Sequence, residues 1–264
     1  MNNDYTTIEV QQDERGVATV WLARPQVRNA MNGTMWEELR DAFARIEADA
    51  ATRVAVLSGR GETFCSGGDL KYQGSQRESS RDERVREAGK LALLLRDMDL
   101  LSKPLVARVN GSAFAGAMAL ICVADVAIGT TAGRFAITEA RLGMVPGMIS
   151  PYVTRRVGIS QARRLFLSAR QFSGEEAVRY GLLHEAVSPE SLDDAIEDEV
   201  RHFLACGPQA LGTIKKLLAY VSTHGQEDNF TYAVDRVADM WDSPEAREGI
   251  ASFFEKRKPG WHRG

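Results

Sequence analysis

The chain has 264 residues, 44% of them hydrophobic, which is enough for one large globular domain with an appendage. Its 33 lysines and arginines nearly balance its 36 aspartates and glutamates, and its pI is near 5.9. This balance gives no overall positive field that would attract nucleic acid or an acidic membrane surface. An anionic ligand must therefore be held by local groups.

The three cysteines, Cys65, Cys122 and Cys206, are too few and too scattered for a disulfide framework or a metal site. They are typical of the reducing cytosol, so we expect a cytoplasmic protein. The first ten residues lack a charged start followed by an apolar stretch, and no apolar run approaches the roughly 20 residues that cross a bilayer. We expect neither export nor membrane insertion.

The first part of the chain predicts sheet followed by a strand–helix unit. Residues 6–11 and 17–23 are β-rich, and the polar turn that separates them ends in Gly16, which predicts a hairpin. Apolar residues at helical spacing predict a helix over 31–48, and a strand over 53–58 follows.

The middle of the chain alternates strand, turn and helix. Residues 71–86 are polar and strongly charged, which predicts a solvated, mobile loop, with a lid over a ligand as the alternative. A helix over 85–101 is predicted to end before Pro104. The remaining predicted elements here are strands over 105–109, 125–129 and 134–137 and a buried helix over 115–123.

The last part of the chain is predicted to be helical. Ser173 and Glu176 form a capping-box pattern that opens a short helix. Further helices are predicted near 189–205, 208–223, 226–241 and 244–256. Their apolar faces indicate packing against the core or against another subunit.

Residues 64–70, Phe-Cys-Ser-Gly-Gly-Asp-Leu, contain paired glycines after the predicted strand 53–58. Glycines let peptide N–H groups point into a cavity instead of pairing with a neighbouring strand. A plain tight turn would explain the pair as well.

Residues 110–117, Asn-Gly-Ser-Ala-Phe-Ala-Gly-Ala, lead from another strand into a helix. Unpaired N–H groups at a helix start carry partial positive charge, so Gly116 can donate where negative charge develops. Close helix packing is the alternative. Taken together, the two turns place donors at the carboxyl ends of strands and predict an oxyanion hole.

These turns, with Arg24-Pro25 and Asn29-Ala30 near the start and 255–259 near the end, resemble the crotonase, or enoyl-CoA hydratase/isomerase, superfamily. The resemblance implies an α/β fold, a spiral of ββα units over 1–200 that holds the coenzyme A site. It also implies a helical domain over 201–264 that forms homotrimers, often paired into hexamers. By position, Ser66 and Gly116 match the two oxyanion donors of the family.

Many hydratases of the superfamily use two glutamates, and by resemblance their positions here are Ala119 and Glu139. Glu139 is therefore the expected acid/base, and a surface carboxylate is the alternative. The implied reaction is reversible hydration of a branched enoyl-CoA. A lone glutamate that moves a double bond would instead make the chain an isomerase, and a non-catalytic RNA-binding or assembly homologue is a third possibility.

Residues 110–114, 139–143 and 145–153 resemble the bacterial methylglutaconyl-CoA hydratase branch, which also lacks the first glutamate and includes isohexenylglutaconyl-CoA hydratases. The resemblance implies leucine or acyclic terpene catabolism. A glutaconyl-type substrate carries a second carboxylate, which requires a cation or several donors. Arg141 and the basic segment after Lys71 are candidates, although Arg141 would serve equally in a structural ion pair.

The resemblance also implies contacts with coenzyme A, and no cofactor beyond that part of the substrate. Basic side chains suit its phosphates. No metal site is expected, and the four scattered histidines are expected to have surface or structural roles. The implied contacts are Arg24 and Arg28 at the phosphates, Ala30, Ser66, Gly68, Asp69 and Leu70 at the pantetheine and adenine, and Lys258 from a neighbouring subunit.

Overall fold

The computed structural model describes residues 5–263 of the chain. Residues 1–4 and Gly264 lie outside the described residues. The first four belong to the N-terminal segment in which we expect no export signal. Between residues 5 and 263, no helix combines the length and the apolar composition that crossing a bilayer requires.

The described residues form two sheets. The strands are β1 (Ile8–Gln12), β2 (Val17–Leu22), β3 (Val54–Gly59), β4 (Thr63–Cys65), β5 (Leu105–Val109), β6 (Ser112–Phe114), β7 (Val126–Thr130), β8 (Arg134–Ala136), β9 (Phe172–Ser173) and β10 (Glu185–Val187). One sheet has the order β1-β2-β3-β5-β7-β10, and the other has the order β4-β6-β8-β9. In the first sheet only the β1–β2 hairpin is antiparallel, and in the second only the β8–β9 pair is antiparallel.

The helices follow the strands in a regular way. They are α1 (Gly33–Ala48), α2 (Leu70–Ser75), α3 (Arg81–Asp99), α4 (Ala117–Cys122), α5 (Ser150–Ser168), α6 (Gly174–Arg179), α7 (Leu192–Ala205), α8 (Pro208–Val221), α9 (Gln226–Trp241) and α10 (Pro244–Phe254). Short 3-10 helices cover Pro25–Val27, Glu139–Leu142 and Pro189–Ser191. Three times a strand of the larger sheet leads into a strand of the smaller sheet and then into helix, which is the predicted ββα repeat.

The larger sheet is covered on both faces, as a mostly parallel sheet requires. One face packs against α1, α3 and α4 in the main core, whose largest buried side chains include Phe43, Phe64 and Phe135. The other face packs against α7, with Ile196 and Leu204 among the buried contacts. Because α7 runs through the predicted boundary at residue 200, its last turn packs with the core. The division into two domains stays a prediction.

Most predicted elements are present, and the predicted α/β class is confirmed. The hairpin, α1, β3, β5, α4 and the helices from α7 to α10 lie where their patterns place them. The prediction of a loop over 71–86 is wrong, because α2 covers Leu70–Ser75 and α3 begins at Arg81. The local cause is a capping box, in which the Ser80 side chain accepts from Glu83 N–H while the Glu83 carboxylate accepts from Ser80 N–H.

A buried asparagine ties the segment before α1 to the two sheets. Asn29 is fully buried and adopts a left-handed backbone with φ of 55°. Its Nδ2 donates toward the carbonyl oxygens of Arg60 at 2.9 Å, Thr63 at 2.8 Å and Phe64 at 3.1 Å. Its Oδ1 accepts from the N–H of Arg24 at 2.9 Å. A single side chain therefore fixes the path of the chain both before α1 and into β4.

We expect Asn29→Ala to lower the free energy of unfolding by about 2–3 kcal/mol, because the change leaves buried carbonyl groups without a donor. Urea denaturation followed by circular dichroism measures the loss. The matched control is Asn32→Ala, which removes the α1 N-cap bond to Met35 N–H at 3.0 Å and should cost about 1 kcal/mol. Equal losses in the two variants would contradict the role of Asn29.

Candidate active site

Three parallel strands of the smaller sheet end side by side. Cys65 at the end of β4 pairs with Ala113 of β6, and Ala113 pairs in turn with Phe135 of β8. Phe114, the last residue of β6, pairs with Ala136, the last residue of β8. The segments that follow these strands therefore meet at one edge of the sheet, which is where α/β folds commonly build ligand sites.

The turn after β4 leaves one peptide N–H without an acceptor. The N–H of Ser66 donates to the Arg28 carbonyl at 2.9 Å, and the N–H of Asp69 donates to the Met31 carbonyl at 2.8 Å. Within residues 5–263, the N–H of Gly68 has no hydrogen-bond acceptor. The predicted role of Ser66 as a donor to the substrate is therefore wrong for this structure, because its N–H is already used. Gly68 provides the free donor of this turn.

The turn after β6 also leaves the N–H of Gly116 free. Ala115 has a left-handed backbone with φ of 50°, and its N–H donates to the Ala136 carbonyl at 2.9 Å. The next residue, Gly116, is the N-cap of α4, and its N–H has no acceptor among the described residues. A helix start leaves such donors by its nature and adds a partial positive charge.

The two turns touch each other, and the first of them leaves room only for glycine at position 67. A Cβ on Gly67, whose φ is 92°, would lie 2.7 Å from the carbonyl oxygen of Phe114. A Cβ on Gly116 would lie 3.0 Å from the Met31 methyl group, and Met31 also forms a β-bridge with Gly68. Met31 thus contacts both turns, so Gly68 and Gly116 lie in adjoining turns.

The turn after β8 contributes an ionisable group. Glu139 opens the 3-10 helix Glu139–Leu142 and is partly buried. Its Oε2 is buried and has no hydrogen-bond partner within the described part of the chain. Burial raises the pKa of Glu139, and backbone hydrogen bonds from Glu139 itself and from Thr138 offset only part of this rise. A carboxyl group with a raised pKa and an unused oxygen is suited to exchanging protons.

The helix α4 supplies no second carboxylate. Its sequence is Ala-Met-Ala-Leu-Ile-Cys, and Ala119 is fully buried. Burial raises the pKa of the Cys122 thiol to about 12, so this cysteine stays protonated. Among the described residues of the three adjoining turns, Glu139 is therefore the carboxyl group with an unused oxygen, because both oxygens of Asp69 are engaged by Arg24 and by the N–H groups of α2.

Arg24 and Asp69 form an internal ion pair. The Arg24 Nη2 lies 3.0 Å from a carboxylate oxygen of Asp69, and its Nη1 donates to the Ala30 carbonyl at 2.5 Å. Asp69 also caps α2. Burial favours its neutral form, but hydrogen bonds from Tyr72 N–H and from Arg24 hold its pKa below the ordinary value. The structure thus uses Arg24 to hold the turn that contains Gly68.

The other residues predicted to contact coenzyme A differ in position. Arg28 is exposed, and its guanidinium has no partner among residues 5–263. Leu70 is 67% exposed. Lys258 belongs to the C-terminal segment whose Trp261 carbonyl accepts from Arg53, just before β3, whereas the turns adjoin the other end of that strand. The six residues of β3 separate these ends by about 20 Å.

Arg141 is exposed and forms no ion pair within the described residues, so the structural ion pair considered for it is not found there. Met31 was not predicted as a site residue, because the contact of Met31 with both turns depends on the loop that precedes α1. Gly68 was predicted to contact coenzyme A, not to donate to the thioester oxygen. The Gly-Gly pair marked the turn, but only the hydrogen bond from Ser66 to Arg28 identifies which N–H is free.

Comparison with known proteins gives one consistent family. The family model described as enoyl-CoA hydratase/isomerase matches residues 12–264. The (E)-benzylidenesuccinyl-CoA hydratase of Thauera aromatica is 27% identical over 257 residues, which cover 97% of this chain and 98% of that protein. The 1,2-epoxyphenylacetyl-CoA isomerase of Escherichia coli is 28% identical over 248 residues, which cover 93% and 95% respectively.

A solved structure agrees with this result. The crystal structure of an enoyl-CoA hydratase from Shewanella pealeana superposes with a TM-score of 0.94 at 30% identity. The match covers 98% of this chain and 97% of that one. The predicted crotonase-type fold is confirmed over nearly the whole length.

We expect amide hydrogen exchange to distinguish the three candidate donors in the ligand-free protein. The Ser66 amide should be protected, because it is hydrogen-bonded, whereas the Gly68 and Gly116 amides should exchange rapidly. Two-dimensional amide spectra recorded after transfer to D2O measure the rates. The Asp69 amide, bonded to Met31, is the protected control in the same turn. Rapid exchange at Ser66 with protection at Gly68 would restore Ser66 as the donor.

We expect Glu139→Gln to make the protein more stable than the parent at neutral pH. Because the folded-state pKa of Glu139 is raised, the folded protein binds this proton more tightly than the unfolded chain. The parent therefore loses stability as pH rises from the ordinary glutamate value of 4.5 through the folded-state pKa. The advantage of the variant should grow across that window and stay constant above it. Urea unfolding at a series of pH values measures it.

The control for this experiment is Glu176→Gln. A hydrogen bond from Tyr180 lowers the pKa of Glu176, so its ionised form stabilises the fold above the unfolded-state pKa and this contribution is lost as pH falls. The control should therefore be less stable than the parent at neutral pH. A difference between Glu139→Gln and the parent that does not vary with pH would contradict the raised pKa.

Proposed function

The chain belongs to the enoyl-CoA hydratase/isomerase family, and we propose that it adds water reversibly to a branched α,β-unsaturated acyl-CoA. The prediction that the chain is an enzyme of the hydratase type, a hydro-lyase, is confirmed. The particular reaction and the substrate of this chain are our proposal. The candidate substrates are 3-methylglutaconyl-CoA and isohexenylglutaconyl-CoA. The observation that carries the proposal is that, among the described residues, Glu139 Oε2 has no partner and the adjoining turns contain N–H groups of Gly68 and Gly116 without an acceptor.

The two free donors suit the thioester carbonyl. In the proposed reaction its oxygen accepts from the N–H groups of Gly68 and Gly116, which attract the electrons of the conjugated double bond. As water adds to the β carbon, the C=C electrons move to the thioester oxygen and form an enolate. Donors aimed at such a developing charge are worth about 2.7–4 kcal/mol each in the barrier.

Glu139 then carries the proton. Its carboxylate takes a proton from the attacking water while the water oxygen bonds to the β carbon. The resulting carboxylic acid returns a proton to the α carbon as the enolate collapses, so the product contains one added water and Glu139 is again a carboxylate. The raised pKa supports this cycle, because it brings the acid and base forms closer in free energy at working pH.

The substrate class rests on two supports. Residues 110–114, 139–143 and 145–153 resemble the methylglutaconyl-CoA branch, which also lacks the first glutamate, whose position here is Ala119. In addition, the Thauera aromatica relative is named a benzylidenesuccinyl-CoA hydratase. A succinyl thioester keeps one free carboxyl group, as a glutaconyl thioester does. We therefore propose a substrate with a second carboxylate.

Isomerisation is the second candidate. The Escherichia coli relative is named an isomerase, and the absence of a carboxylate at Ala119 leaves Glu139 as a single proton carrier. A lone carboxyl group can remove a proton from one carbon and return it to another without water. Mass analysis of the product separates the two reactions.

For coenzyme A, we propose that Arg28 binds phosphate and that Ala30, Asp69 and Leu70 line the path of the pantetheine. The exposed guanidinium of Arg28 suits this role by charge pairing. Arg24 acts differently from the sequence expectation, since its ion pair with Asp69 holds the turn.

We propose that Lys258 comes from a neighbouring subunit of a homotrimer or of a hexamer built from two trimers. Its distance from the turns in its own chain supports this arrangement. So does the surface of α8, α9 and α10, which lines a groove of about 360 Å³ and exposes large apolar side chains. Among them, Trp241 is 65% exposed and Phe253 is 78% exposed.

We expect Glu139→Gln to slow hydration by about 10²- to 10⁴-fold, because the variant cannot accept or return a proton. The parent and the variant are incubated with 3-methylglutaconyl-CoA, isohexenylglutaconyl-CoA, crotonyl-CoA and a 3-enoyl-CoA, and products are identified by mass. A product heavier by one water marks hydration, and an unchanged mass with a new retention time marks isomerisation.

The matched control is Glu62→Gln, an exposed glutamate in the turn before β4. It should keep the parental rate. Hydration by Glu139→Gln within a few-fold of the parent would exclude the mechanism. Isomerisation without hydration by the parent would favour the second candidate.

A further inference from the structure

A glutamine side chain lies against the peptide that contains the free Gly68 donor. Gln73 is on α2, and a Cβ added to Gly68 would overlap its Nε2 and lie 3.1 Å from its Cδ. The Gln73 amide therefore occupies the space where residue 68 would otherwise place a side chain. The Gly68 α carbon and the Gln73 amide are in van der Waals contact.

This amide makes no hydrogen bond with any residue that the structure describes. Other polar side chains of the same segment are engaged. Asp69 accepts from the α2 N–H groups and from Arg24, and the Tyr72 hydroxyl donates to Glu87. Gln76 accepts from the Ser79 hydroxyl at 3.3 Å. Gln73 thus offers two N–H donors and one acceptor beside the turn.

The groups around Gln73 leave its amide donors available to an anion. Lys71, two residues earlier on α2, is exposed and has no ion-pair partner within residues 5–263. The nearby acids are paired, Asp69 with Arg24, and Glu87 and Glu37 together with Lys90. A carboxylate close to the Gln73 amide would therefore meet two N–H donors and the positive charge of Lys71 on the same helix.

The position of Gln73 also indicates which part of a substrate it meets. In the proposed function the Gly68 N–H serves the thioester oxygen, so an amide on the side-chain side of Gly68 is placed for the acyl chain that leads away from that oxygen. We propose that Gln73 is a specificity-determining residue whose side-chain amide donates hydrogen bonds to the second, free carboxylate of the acyl chain. This inference rests on the proposed function for the location of the acyl group.

Binding of two saturated thioesters tests it without any turnover. The probes 3-methylglutaryl-CoA and isovaleryl-CoA differ only by the terminal carboxylate, and neither has a double bond to hydrate. Calorimetry gives the Kd of each probe for the full-length parent and for Gln73→Met, which keeps the size of the side chain but removes its donors. We expect Gln73→Met to weaken 3-methylglutaryl-CoA by about 10- to 100-fold and to leave isovaleryl-CoA within about two-fold.

Two further variants sharpen the result. Gln73→Lys replaces the amide donors with an ammonium group, so it should retain the preference for the carboxylate, whereas a role in packing alone would not survive this change. Gln76→Met is the matched control on the same segment and should bind both probes as the parent does.

Equal weakening of both probes by Gln73→Met, or no weakening of either, would overturn the role of Gln73. The hydratase proposal is judged separately by the turnover of the parent on enoyl-CoA esters. A parent that hydrates 3-methylglutaconyl-CoA while Gln73→Met binds both probes normally would retain the function and reject this inference. If the parent hydrates no enoyl-CoA ester but Gln73→Met still binds only 3-methylglutaryl-CoA more weakly, the hydratase proposal is rejected and the role of Gln73 is retained.

Discussion

The site depends on the burial of Asn29. A fully buried amide must satisfy its donors and acceptor inside the protein, and Asn29 does so with the carbonyl groups that lead into β4 and with the N–H of Arg24. Its left-handed backbone turns the preceding carbonyl, that of Arg28, toward Ser66. The Ser66 N–H donates in that bond. On either side of Gly68, the Met31 N–H donates to the Gly67 carbonyl and the Asp69 N–H donates to the Met31 carbonyl. Among the described residues, the Gly68 N–H is therefore the donor of this turn that has no acceptor.

This non-local cause explains what the sequence predicted and what it did not. Gly116 is recognisable from its own neighbourhood, because it stands at a helix start and such positions leave N–H groups free. The choice between Ser66 and Gly68 is set by a segment about forty residues earlier in the chain, which no local pattern contains. The short strands β4 and β6 were not predicted for a related reason, since three residues are too few to show a period of two, whereas β8 lies within the predicted strand 134–137.

The error over 71–86 has a different origin. The charge of that segment is typical of a solvated loop, yet charge does not prevent a helix whose polar face is exposed. Ser80 and Glu83 carried the signal for the start of α3, and the apolar positions Leu91, Leu94 and Leu95 bury its inner face. The long helix α5 was not predicted, and it contains Gly158 with φ of 76°, where the backbone leaves the helical conformation.

The groups at this edge of the sheet are matched in charge. Peptide N–H groups and a helix start stabilise developing negative charge with partial charges only. A lysine or arginine close to Glu139 would stabilise the same charge more strongly, but it would also favour the carboxylate and lower its pKa, which would make Glu139 a weaker base. Burial rather than a neighbouring charge is the largest influence on the pKa of Glu139, the side chains of α4 are apolar, and Arg24 is engaged by Asp69. Neutral N–H donors therefore suit a buried carboxyl group as the proton carrier, because they stabilise the negative charge on the thioester oxygen without lowering the pKa of Glu139.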